Sequence, residues 1–149
     1  MSRTQNPIDR NIATVRRFLA GTHSADIADV RVIDDTVVPD IVCHGFPGGM
    51  NPNSHDSYKD FFRIFRQSFG AMQFGIDTLV ADKDFVSARW HVDCIHCGPF
   101  AGIAATGRQV HFTGMVLYRM RDGLIAETWL HVDELALLGQ IGALPQMAA

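Results

Sequence analysis

A chain of 149 residues, 47% hydrophobic and 19% charged, is long enough to bury one core without disulfide or metal staples. Its formal net charge of −3, with 13 basic residues that form no stripe, excludes nucleic acid as the main partner. No apolar run reaches bilayer length and residues 1–7 hold no apolar signal core, so a cytoplasmic location with no membrane partner is expected.

Three cysteines, an odd number, fit reduced thiols better than a disulfide frame. Cys94 and Cys97 have the spacing of half a metal site. On a strand, however, that spacing points the two thiols to opposite faces, and no second pair exists. Buried packing cysteines and no metal are the expectation.

In chain order, Asn6-Pro7-Ile8-Asp9 reads as a helix start: a capping Asn, Pro in the first helical position, an acid in the first turn. Ile8, Ile12, Val15 and Leu19 follow at helical spacing, and Gly21 ends the helix. A second, shorter helical stretch is predicted from Ser24 to Val38, with Ile27, Val30 and Ile33 as its apolar positions and Pro39 as its stop. Asp40 to His44 reads as a short strand. Gly45 to Ser54 is a loop of turn residues that carries Phe46 and Met50, either a lid over a cavity or a connector plugging the core edge.

Ser57 to Phe69 is the clearest helix, with Tyr58, Phe61, Phe62, Phe65 and Phe69 on one face. Such a face serves equally as packed core or as the wall of an apolar cavity. Met72 to Ala81 and Phe85 to Cys97 read as strands, the second carrying Arg89, His91 and Asp93 on one face beside Trp90 on the other. After a glycine-punctuated loop, Val110 to Met120 and Leu124 to Val132 form a hairpin through Asp122-Gly123. Glu134 to Ile141 is a last helix, stopped at Gly142.

This order predicts a single α+β domain over residues 1–149: a cone-shaped, curved antiparallel sheet with helices packed on its concave face around an apolar interior. The hairpin carries the most chemistry-laden row. Glu127, Trp129, His131 and Asp133 share one strand face, and that face is expected to look into the cone.

The run Ile95-His96-Cys97-Gly98 with Phe100, Gly102, Thr106, Gly107 and Arg108, then Tyr118, Asp122-Gly123, Ile125, Glu127, Trp129 and Asp133, then Leu138, Gln140 and Gly142, resembles the SnoaL-like polyketide cyclases. That family lies within the superfamily of nuclear transport factor two. The resemblance spans nearly the whole chain. It implies a homodimer and a cofactor-free enzyme of cyclase, isomerase or lyase type. It further implies an intramolecular aldol closure in which a pocket Asp, matched here by Asp133, acts as acid/base. The family's pocket His has no motif match, so His131, His111 and His91 are candidates for the acid. Arg89 would hold Asp133 ionised or bind a carbonyl.

Each residue also has a plainer reading. Asp133 ahead of Glu134 makes a good helix cap, and capping lowers a carboxylate's pKa and spends its oxygens. His131 fits a satisfied half-buried side chain beside Trp129, His44 an anchor to a backbone carbonyl, and His96 a structural hydrogen bond. Arg89, on a buried strand, requires a carboxylate such as Glu127 or Asp133. For a small hydrophobic ligand, His44, Phe46, Met50, Phe61, Phe65, Trp90 and Trp129 are the expected wall. A ligand-binding protein without activity and an epoxide hydrolase using Asp-activated water are the alternatives.

Overall fold

The computed structural model describes residues 4–24 and 29–144. Helix α1 (Pro7–Thr22) starts as its sequence requires, the Asn6 side chain accepting the Ile8 amide at 2.9 Å. Its buried stripe is Asn11, Val15, Phe18, Leu19 and Thr22, while Ile8 and Ile12 are only partly covered. Phe18 turns the helix: its ring meets Tyr58, Phe62 and Tyr118 edge-on at 5.4, 6.0 and 5.9 Å, a larger apolar payload than the isoleucines offer.

The helical stretch expected from Ser24 to Val38 reduces to α2 (Val32–Thr36), with residues 25–28, Ile27 among them, outside the described residues. Val37 and Val38 belong instead to β1 (Val37–His44), an extended strand that suits β-branched residues ahead of a proline. Pro39 fits within it because β1 is an edge strand, where a missing N–H breaks no ladder. After a single 3-10 turn at Pro47–Gly49 comes α3 (His55–Ser68), locked at its start by a reciprocal cap. Ser54 Oγ accepts the Ser57 amide at 3.1 Å and Ser57 Oγ accepts the Ser54 amide at 3.0 Å.

Strands β2 (Phe69–Ala81), β3 (Phe85–His96), β4 (Gln109–Arg121) and β5 (Leu124–Val132) form an antiparallel meander, followed by α4 (Glu134–Gln140). The sheet order is β1-β5-β4-β3-β2, and β1 lies parallel to β5, so the sheet is mixed rather than wholly antiparallel. Register shifts in β2 and at Ala126 of β5 bend the sheet, which is curved and unclosed with the helices packed against it.

Strand β3 separates inside from outside. Val86, Ala88, Trp90, Val92 and Cys94 are buried, and Phe85, Arg89 and Asp93 are exposed. Cross-strand partners share a face, so Tyr118 beside Val86 and Thr128 beside Tyr118 also point inward. Cys43 and Cys94 are buried free thiols, but Cys97 is exposed, which corrects the expectation that both Cys94 and Cys97 pack in the core.

Gly114 lies opposite Trp90, and a Cβ there would fall 2.2 Å from the indole ring and 2.7 Å from the His131 carbonyl oxygen. A side chain is excluded so that the indole can lie flat on β4. Gly114→Ala should therefore destabilise the fold by about 1–3 kcal/mol and shift the Trp90 emission, read by urea unfolding monitored through tryptophan fluorescence.

Candidate active site

The inward faces of the sheet and helices α1 and α3 enclose a chamber with about 70 Å³ of open space. Phe18, Phe46, Phe61, Phe62, Phe65 and Trp90 are among its lining rings. Among so many rings, six polar side chains stand out: Thr22, His23, Tyr58, Arg66, Tyr118 and Thr128.

His23 sits at the end of α1, where its backbone amide still bonds to the Leu19 carbonyl at 3.1 Å. Its ring stacks on Phe74 with centroids 4.2 Å apart and meets Phe62 edge-on at 5.4 Å. Thr22 Oγ1 donates its proton to the Phe18 carbonyl at 2.8 Å, so it can only accept from His23 Nδ1, 2.9 Å away. The Leu19 carbonyl, 3.1 Å from the same Nδ1, also only accepts. Both partners fix the proton on Nδ1, which leaves Nε2 as the acceptor nitrogen of the ring. Burial, with the Arg66 guanidinium adding to it, pushes the His23 pKa down to about 4, and the ring is neutral at pH 7.

Arg66 Nη2 donates to the Ser24 carbonyl at 2.7 Å, which ties this cation to the stretch after α1. A second polar group also lines the chamber. Thr128 Oγ1 is buried with no hydrogen-bond partner, although Tyr58 and Cys43 lie beside it. Burial pushes the Cys43 thiol up to about 12 and raises the Tyr58 and Tyr118 phenols further, so all three stay protonated. A protonated phenol keeps its O–H and is a hydrogen-bond donor.

A second recess of about 340 Å³ adjoins the chamber between the Pro47–Gly49 turn, α3, the Pro99–Ala101 loop and α4. It shares Pro47, Phe61, Phe65 and Leu137 with the chamber.

Of the predicted site residues, Phe46, Phe61, Phe65 and Trp90 line the chamber and Met50 lines the recess. The others lie on the opposite face. Arg89, Trp129, His131 and Asp133 border an open groove on the outer side of the sheet. His91 pairs with Asp77 at 2.9 Å, His111 with Asp93 at 2.8 Å, and His44 with Glu127 at 2.7 Å. The expectation that Glu127, Trp129, His131 and Asp133 share a face holds, but the face looks outward, because Thr128, Leu130 and Val132 supply the inner wall. Asp133 Oδ1 accepts the Ala136 amide at 3.1 Å and caps α4.

Two smaller readings also change. His44 Nε2 binds the Glu127 carboxylate rather than a backbone carbonyl, and that contact, with Arg119 at 3.1 Å, holds Glu127 below the usual carboxylate range. Arg89 is exposed and donates to Thr78 Oγ1 at 3.2 Å, so it needs no carboxylate. His96 does make a structural bond, to Thr106 Oγ1 at 2.9 Å.

His23 was not legible as a site residue. It belongs to no motif, and the only sequence signal is its place one turn after Leu19 on the buried stripe of α1. Among the described residues, no group of three or more His, Cys, Asp or Glu side chains is arranged to hold a metal.

The family model for SnoaL-like polyketide cyclases matches residues 13–141. Among functionally curated proteins none matches. Many solved structures share the fold. A candidate SnoaL-like polyketide cyclase from Jannaschia sp. CCS1 is 20% identical, with a TM-score of 0.82 over 97% of this chain and 100% of the other. AclR, a candidate hydroxylase from Streptomyces galilaeus, is 24% identical, with a TM-score of 0.79 over 95% and 86%. IdmH, a candidate polyketide cyclase from Streptomyces antibioticus, is 24% identical, with a TM-score of 0.74 over 89% and 98%.

Two stability measurements check this geometry. Asp133→Ala should cost about 1 kcal/mol in urea unfolding while Asp133→Asn, which also caps, costs a few tenths at about most. His23 has its folded pKa lowered from 6.5 to about 4, so its contribution is complete above pH 6.5 and is lost as pH falls toward 4. Unfolding at pH 7 and pH 4.5 should therefore show about 2 kcal/mol of acid loss that His23→Gln abolishes.

Proposed function

We propose that this chain, which belongs to the SnoaL-like polyketide cyclase family, is an acid/base enzyme of cyclase type that works on a small apolar carbonyl compound inside the chamber. The observation that carries this reading is that the neutral His23 ring and Thr128 Oγ1, a buried hydroxyl with no hydrogen-bond partner, both line a largely apolar chamber. A buried polar atom left without a partner costs stability, and a ligand that satisfies it recovers that cost.

The chemistry follows from the groups. The His23 lone pair takes a proton from the carbon next to a carbonyl, which leaves an enolate. Tyr58 and Thr128 donate to the enolate oxygen, and the Arg66 charge favours the anion. In an aldol closure the enolate carbon then bonds to a second carbonyl carbon of the same molecule, and the new alkoxide recovers the proton from the His23 imidazolium. A conjugate acid of about 4 makes His23 a base of carboxylate strength, sufficient where the enolate is held by donors. Such chemistry uses side chains alone.

The resemblance gives the acid/base role to Asp133, whose carboxylate is engaged at α4 and borders the outer groove. His23 is a better placed base than Asp133, His131, His111 or His91 because it alone of these lines the chamber. Five exposed apolar side chains on the outer sheet face, Val42, Val80, Phe85, Met115 and Leu117, support the homodimer that the family implies. The free thiols favour a reducing, cytoplasmic setting.

Exchange of the α-protons of 2-tetralone in D₂O, followed by NMR, tests the reading. The protein should accelerate exchange over buffer. His23→Gln should slow it by about a hundred-fold, the usual share of a positioned base, and Asp133→Asn should leave it within about two-fold. No acceleration by the intact protein would leave only ligand binding. Loss in Asp133→Asn with none in His23→Gln would move the base to the outer face.

A further inference from the structure

One row on the inner sheet face holds a thiol that the proposed chemistry leaves unused. Thr128 of β5 lies in register with Cys43 of β1 on one side and with Tyr118 of β4 on the other, and Tyr118 in turn with Val86 of β3. Thiol, hydroxyl, phenol and isopropyl group thus follow one another across four strands, all buried. Tyr58 of α3 lies beside both Thr128 and Cys43. Thr128, Tyr58 and Tyr118 line the chamber, and Cys43 does not.

The thiol is the unexpected member of this row. Neighbouring strands lie about 4.8 Å apart, and two hydroxyl side chains in register across that gap are within reach of a hydrogen bond. Here the neighbour of the Thr128 hydroxyl is sulfur, a weak donor and a weak acceptor. Thr128 is 1% exposed, and its Oγ1 has no hydrogen-bond partner among the described residues. Burial pushes the Cys43 thiol up to about 12, so it does not become the thiolate that would accept the Thr128 proton strongly. Among the described residues, no side-chain carboxylate or amide lines the chamber to take that proton instead.

Such a hydroxyl costs stability in a core and serves a site. An oxygen that enters the chamber recovers the cost only if no protein atom already holds the proton. We propose that Cys43 is a positioning residue for the reaction in the chamber: standing beside Thr128 as a poor hydrogen-bond partner, it leaves the Thr128 proton to the oxygen of the ligand. This rests on the chamber being the reaction site. Cys43 itself touches no ligand and acts through Thr128.

Exchange of the 2-tetralone α-protons in two variants, together with a urea-unfolding cycle, tests it. Cys43→Ser offers Thr128 an acceptor and should lower kcat about ten-fold with KM within about two-fold, because the lost contact is one that strengthens as the enolate forms. Cys43→Ala removes more packing but offers no acceptor, and should exchange at least about five-fold faster than Cys43→Ser. A merely structural thiol predicts the reverse order, the better match in size being the more active. In urea, Cys43→Ser should have a higher midpoint than Cys43→Ala, and adding Thr128→Val to both should shrink that gap by at least about half. Exchange by Cys43→Ser at or above that of Cys43→Ala, or a gap that Thr128→Val leaves unchanged, would overturn the proposal. An intact protein that exchanges nothing while the urea cycle holds refutes the reaction and not the uncommitted hydroxyl.

Discussion

Everything in this molecule depends on which side of the curved sheet a strand residue falls. A strand sends alternate side chains to opposite faces, and here one face is dry and the other wet. The helices settle which is which. Phe18 from α1 and Tyr58, Phe61 and Phe62 from α3 need a large apolar surface, and only the row of Val86, Ala88, Trp90 and Val92 with its cross-strand partners can supply it. Once β3 is fixed, register carries the choice across the hairpin to Thr128, Leu130 and Val132.

That choice distributes the polar chemistry unevenly. The outer face holds paired charges, His91 with Asp77, His111 with Asp93, and Glu127 between His44 and Arg119, all open to water, where such pairs contribute little to stability. The inner face holds few polar atoms, but each stands in a low-dielectric setting where an unpaired group is costly and a ligand contact is strong. His23 is held neutral for this reason, and Cys43, Tyr58 and Tyr118 are held protonated for the same one. One physical cause, burial, thus gives both an acceptor and a set of donors.

The chamber's aromatic wall has two consequences. Rings packed edge-on around Phe18 and Tyr58 make the core stable and leave little free volume. Phe61 and Phe65 line both the chamber and the recess.

The sequence by itself determined much. Asn6-Pro7, the aromatic run of α3, the Asp122-Gly123 turn and the helix after Asp133 placed α1, α3, the β4–β5 hairpin and α4, because caps, turns and periodicity act over a few residues. The aromatic wall residues Phe46, Phe61, Phe65 and Trp90 were legible for the same reason. The inward face of β5 was not, since both its rows mix polar and apolar side chains and only the partner strand and the Ala126 bulge decide between them. The parallel seat of β1 and the arrival of His23 and Thr128 at one chamber joined parts of the chain far apart in sequence, and only the tertiary packing of α1 and α3 on the sheet could set them.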